Sequence, residues 1–138
     1  RQVSSAASDV YKRQPPKWDV SWTVPCRDRK ERERVLGLLE DRVQRPPTDF
    51  RRTDALLALA IPIENVIKHA HVVEYEIRAR FDQGSVVVEI VDEGPGMPRG
   101  SVRRGLKISE ALSDDLYVRP NHPTGTIVGL VFKEGPGA

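Results

Sequence analysis

The chain has 138 residues, 30% of them charged and 38% hydrophobic, which allows one ordinary domain with a core and excludes both a disordered chain and a membrane-embedded one. Its formal charge of +2 arises from Arg1, Lys12 and Arg13 facing a single Asp9 near the start; the remainder is neutral, so the sequence pI near 8.9 is no argument for nucleic acid or an anionic membrane as partner. One cysteine, Cys26, excludes an internal disulfide, no apolar run reaches the roughly eighteen residues of a membrane span, and a cytoplasmic protein is the expectation.

Residues 1–14 are rich in Ser and Ala and lack the apolar stretch of a signal peptide. They read as a disordered or foreign leader, leaving 15–138 as a single domain. From Trp18 to Val24, Trp18, Val20, Trp22 and Val24 alternate with Asp19, Ser21 and Thr23, the pattern of a half-buried strand. Asp28 with Glu31 three residues on forms a capping-box signature, and Val35, Leu38, Leu39 and Val43 follow at helical spacing. The mixed-charge run Lys30 to Arg34 is most simply the solvated face of that helix, which ends before Pro46-Pro47. Thr48 or Asp49 then caps a second, apolar helix running through Leu56, Leu59, Ile63, Val66 and Ala70, with Pro62 inside it. Proline lacks the amide of a helical turn and clashes with the carbonyl four residues back, so a kink or a restart is expected there.

Tyr75, Ile77, Ala79 and Phe81 alternate strictly with charged residues, and Asp82-Gln83-Gly84 turns the chain into Ser85 to Asp92. The two runs predict an antiparallel hairpin with one buried face. An irregular basic segment from Met97 to Arg104 precedes a helix carrying Ile108, Ala111 and Leu112, and strands over Leu116 to Val118 and Thr126 to Phe132 complete a mixed, mostly antiparallel sheet with helices on one face. The fold class is thus an α+β two-layer sandwich.

The chemistry concentrates at Asp92-Glu93-Gly94-Pro95-Gly96. Val86, Val88, Ile90 and Asp92 share one strand face, because side chains repeat every second residue, so an apolar face ends in a carboxylate. A buried carboxylate needs a donor, from the protein or from a ligand. The second cluster is polar: Glu64, Asn65, Lys68 and His69 stand on an otherwise apolar helix.

Asn65-Val66-Ile67-Lys68-His69-Ala70, then Asp92 to Gly96, then Gly105-Leu106 with Gly125-Thr126 resemble, in order and spacing, the asparagine box and glycine motifs of the Bergerat-type ATP-binding domain of histidine kinases, Hsp90 and gyrase. The likeness spans Trp18 to Lys133. The short chain and its tail pattern are most similar to the bacterial anti-sigma regulatory factors, which are serine-protein kinases. The resemblance implies ATP or ADP with Mg as cofactors and Asn65, Asp92, Gly94, Gly96, Gly105, Leu106 and Thr126 as binding positions. In it, Asp92 accepts from the adenine amino group, Asn65 is the Mg ligand, Gly94 and Gly96 admit backbone close to the base, Gly105 opens a phosphate-binding helix, and Thr126 supports Asp92. It also implies a sigma factor or an anti-sigma antagonist as protein partner, and homodimers, with no direct nucleic acid and no membrane.

One departure bears on catalysis. Kinase-active members place a glutamate one helical turn before the asparagine as general base, and here that position is Ile61, which takes no proton. Glu64 is the remaining catalytic candidate, but it is adjacent to Asn65 and so about 100° round the helix. The segment between Gly96 and Gly105 is short for a phosphate lid, and Arg103 stands where a glycine is common, contacting phosphate or filling the pocket. Three functions follow: an anti-sigma-like regulator that binds adenine nucleotide with impaired phosphotransfer, an active serine kinase using Glu64, or a nucleotide-free interaction module. Metal binding by His69 and His71 is disfavoured, because two residues apart on a helix they diverge, and Cys26 reads as a small buried residue.

Overall fold

A computed structural model describes residues 17–43, 52–82, 84–96 and 98–133. Their elements are β1 (Val20–Pro25), α1 (Arg29–Val43), α2 (Arg52–His69), β2 (Glu74–Asp82), β3 (Ser85–Asp92), α3 (Arg99–Gly105), α4 (Lys107–Leu112), β4 (Asp115–Pro120) and β5 (Thr126–Lys133). The strands form a five-stranded sheet in the order β1-β2-β3-β5-β4. Each described pairing is antiparallel, so the expected mixed sheet contains no parallel pair among the described residues. The leader 1–14 and the expected Thr48 or Asp49 cap lie outside the described residues.

The two-layer sandwich follows from the alternation. Val24, Ile77, Val88, Ile90 and Leu130 project from one sheet face and pack with Val35 and Leu39 of α1, Ile63 of α2 and Leu106. Each such side chain contributes about 1.5–3 kcal/mol on leaving water. At the start of α1 the Asp28 carboxylate accepts the Glu31 amide at 2.9 Å, the capping contact that the sequence announces. Trp18 lies before β1 instead of within it; its ring lies against the Arg78 and Arg80 guanidinium groups, 4.6 and 5.3 Å from its centroid. Cation–π stacking therefore takes the place of strand pairing for this residue.

Pro62 does not divide its helix, since α2 is continuous from Arg52 to His69. The carbonyl that it leaves without an amide is that of Ala58, four residues back. The Ser109 hydroxyl of α4 donates to the Ala58 carbonyl at 2.8 Å, and Ser109 is completely buried. A buried carbonyl lacking its helical partner is thus satisfied from the neighbouring helix. The same contact explains a correction in α4: Ser109 is the buried residue, whereas Ile108 is 59% exposed.

The stretch expected to be irregular before Gly105 is helical. Val102 and Leu106, one turn apart in a run of exposed arginines and glycines, are buried in the apolar core, and Ser101 and Val102 amides begin the helix by bonding to the Pro98 carbonyl at 3.0 and 3.2 Å. Gly105 accordingly closes α3 and does not open a helix.

The sheet face away from the helices carries a buried carboxylate, Glu89, in the middle of β3. Arg78 donates to it through two nitrogens at 2.9 and 2.6 Å, Arg119 donates at 2.7 Å, and the Tyr117 hydroxyl donates as well. Gly129 lets the Tyr117 ring cross β5, since a Cβ there would stand 2.0 Å from the ring. Charge-assisted bonds compensate the desolvation of Glu89 and tie β2, β3 and β4 together.

Candidate functional site

A small cavity opens between the second half of α2 and the ends of β3 and β5. Its walls include Pro62, Asn65, Val66 and His69 from α2, Asp92 from β3, Gly96, Val102 from α3, and Thr126 and Val128 from β5. A second chamber adjoins it, lined by Asn65, His69, Ser101, Val102 and Gly105. Asn65, His69 and Val102 face both. An apolar slot with a carboxylate in it thus leads into a more polar compartment.

Asp92 sits in the first chamber at 6% exposure. Its Oδ1 accepts the Gly94 amide at 2.9 Å, and the Thr126 amide also bonds to the carboxylate. Burial pushes its pKa above the ordinary value, against the opposing effect of these two amides. The donor expected from the sequence is therefore partly internal, with acceptor capacity left facing the cavity.

Two glycines set the shape of this end. A Cβ on Gly94 would stand 2.3 Å from the Ala70 carbonyl oxygen, so the chain after β3 presses against the end of α2 as only glycine permits. Gly125 adopts φ +112, and a Cβ there would lie 1.9 Å from the Asp92 carbonyl oxygen. Gly96, at φ +86, lines the cavity in a conformation that favours glycine. His71, at φ +55, turns the chain out of α2 and is exposed; its neighbour His69 points into the site.

Asn65, Asp92, Gly96 and Thr126 thus meet in one cavity, and Gly105 lines the second chamber 3.8 Å, from its notional Cβ, from the Asn65 amide nitrogen. Gly94 shapes the wall from behind. Leu106 is placed differently: it is fully buried in the apolar core. Glu64 lines neither chamber; its carboxylate pairs with Arg32 of α1 at 3.3 Å, on the side of α2 turned from Asn65, as a 100° rotation per residue requires. Ile61 packs against the core. Arg103 neither fills the pocket nor lines it, since it pairs with Glu110 at 2.8 Å. Cys26 is half-buried, and its thiol is pushed up first by burial and then by the negative charges of Asp92 and Glu74, the opposite of activation.

His69 is a site residue that motif spacing left without a role, although its place four residues after Asn65 puts it on the same helix face. Val102 is another, as are Ser101 and Val128; Val102 is hidden because Leu106, the next apolar residue, follows a run of polar ones.

Among the described residues, no cluster of three His, Cys, Asp or Glu side chains is placed to hold a metal. A lone neutral oxygen ligand such as Asn65 suits magnesium that is held mainly by phosphates and water. The glycine-bounded slot thus carries one buried acceptor, Asp92, among apolar walls, and Asn65, His69 and Val102 are shared with the second chamber. No described helix is long and apolar enough to cross a membrane.

The architecture is a histidine kinase-like ATPase fold, with a five-stranded antiparallel sheet and helices on one side. The solved Acinetobacter baumannii histidine kinase AdeS is similar to it with a TM-score of 0.55 and 19% identity, over 91% of this chain and 72% of that one. No family model matches the sequence, and no curated protein matches it.

Proposed function

We propose that this chain is a regulatory domain of the anti-sigma-factor type that binds ATP or ADP in the cavity between α2 and β3 and has impaired phosphotransfer. The observation that carries the binding half is Asp92, a buried carboxylate with an acceptor face open to an apolar slot. It would accept a hydrogen bond from the adenine amino group, and Val66, Val102 and Val128, which line the same cavity, would contact the base. Asn65 would hold Mg, which would neutralise phosphate charge, and His69 and Ser101, which line the second chamber, would be the polar side chains available to the phosphates.

The catalytic half rests on Ile61 and on Glu64. The position that needs a base holds an isoleucine, and Glu64 is engaged by Arg32 away from the cavity. The serine-kinase alternative needs Glu64 to leave that pair and rotate about a quarter turn round α2. The nucleotide-free alternative loses its main support, since Arg103 is drawn outward to Glu110. Binding without turnover leaves a regulator that works by holding a protein partner, a sigma factor or its antagonist, singly or as a homodimer.

Calorimetric titration with ATP and Mg, followed by a radiolabel-transfer assay on a serine-bearing antagonist, separates these functions. Binding without transfer is the expected result. Transfer abolished by Glu64→Gln would establish the kinase instead, and absence of binding would establish the interaction module.

A further inference from the structure

We infer that Asn121 and Thr124, in the loop between β4 and β5, are positioning residues that set the base selectivity of the cavity by holding Asp92 from behind. The inference rests on Asp92 being the group that reads the base. Asp92 is the last residue of β3, and past the Asp92–Thr126 pairing no strand register holds the chain. Two side chains from the loop take over. The Asn121 Nδ2 donates to the Asp92 carbonyl at 2.9 Å, and the Thr124 Oγ1 donates to the Glu93 carbonyl at 3.0 Å.

Asn121 is itself fixed at two further polar points. Its Oδ1 accepts the His122 amide at 3.1 Å, and its backbone amide donates to the Gly125 carbonyl at 3.1 Å. It cannot swing from Asp92 without disturbing the loop. Gly125 brings that loop into direct contact with the same peptide, as the 1.9 Å approach of its notional Cβ to the Asp92 carbonyl oxygen records.

The consequence lies in where the carboxylate finds its donors. The Gly94 amide follows the Glu93 carbonyl that Thr124 holds, and the Thr126 amide follows Gly125. Both amides that orient Asp92 therefore belong to the segments clasped by the loop. Neither Asn121 nor Thr124 lines the cavity, so any effect on a nucleotide passes through Asp92. Rigid support behind a recognition group governs how well it discriminates, since a small rotation spoils hydrogen-bond geometry while leaving apolar contacts in place.

The test is the ratio of affinities for ADP and inosine diphosphate, which carries an oxo group in place of the adenine amino group, measured by titration calorimetry on the full chain. Wild type is expected to prefer ADP. Asn121→Ala and Thr124→Val are each expected to compress that preference by about tenfold, the scale of one lost hydrogen bond, chiefly through weaker ADP binding. Thr124→Ser, which retains the hydroxyl, is expected to restore it. A merely structural role would weaken both ligands alike and leave the ratio unchanged, and that result in both variants would overturn the inference. The Thr124→Val and Thr124→Ser pair carries the test if circular dichroism shows that Asn121→Ala does not fold. Wild type without affinity for ADP refutes the nucleotide site itself; wild type with the preference and variants that keep it refute only the positioning role.

Discussion

Replacing Ser109 by alanine probes how the helix layer tolerates a proline beside the cavity. Pro62 offers no amide to the Ala58 carbonyl, and the Ser109 hydroxyl supplies the missing donor at 2.8 Å from a completely buried position. Removing it leaves a buried carbonyl unsatisfied, which costs about 1–3 kcal/mol. Taking about 2 kcal/mol and a urea m-value of about 2 kcal/mol/M, the unfolding midpoint falls by about 1 M. The stronger test is the double-mutant cycle with Pro62→Ala. Alanine at position 62 restores the amide that a helix directs at the residue four back, so the carbonyl no longer depends on Ser109. Ser109→Ala is then expected to cost at least about 1 kcal/mol less than in the wild-type background, a coupling above the roughly 0.3–0.5 kcal/mol scatter of independent sites. Urea unfolding followed by far-ultraviolet circular dichroism gives all four stabilities. Equal costs of Ser109→Ala in both backgrounds would refute the compensation.

Three further predictions concern the site. Asp92→Asn is expected to weaken ADP binding by about thirtyfold, equivalent to about 2 kcal/mol for a hydrogen bond to a charged group, as read by calorimetry. Because burial raises the folded pKa of Asp92, its contribution to stability is fully present below the unfolded value of about 4 and is lost as pH rises through the raised one. The empty Asp92→Asn protein should therefore melt above wild type at pH 7, with the difference closing near pH 4. Gly125→Ala, which forces a side chain to φ +112 against the Asp92 carbonyl, should lose about 3 kcal/mol or more of stability, measured by urea unfolding. Glu64→Gln should leave ADP affinity within about twofold of wild type and cost under about 1 kcal/mol, since the Arg32 pair that it breaks is 42% exposed on the glutamate side; calorimetry and a melt check both.

The parts of the fold legible in the sequence are those governed by local period. The strict alternation from Tyr75 to Phe81 announced β2, and Asp28 announced the start of α1 through its capping contact. Asp92 was legible for the same reason: it continues the face of Val86, Val88 and Ile90, and that face is buried. What stayed hidden depends on partners far along the chain. Ser109 reads as a polar residue on a short helix until the carbonyl freed by Pro62 is brought beside it, 51 positions away. Glu64 reads as a candidate base until α1 brings Arg32 to it. The helix α3 has only Val102, with Leu106 just past its end, as apolar markers, too few for a period to show through arginine and glycine. Asn121 and Thr124 carry no motif at all, because their bonds go to backbone carbonyls 29 and 31 residues earlier.

The site is tested most directly by following backbone amide resonances while ADP is added to the wild-type protein in the presence of Mg. The amides of Gly94, Gly96 and Thr126 around Asp92, and of Gly105 beside Asn65, are expected to shift together and saturably, with Arg32 and Glu64 unmoved. Shifts confined to residues away from the cavity, or none at all at millimolar ADP, would contradict an adenine nucleotide site built on Asp92.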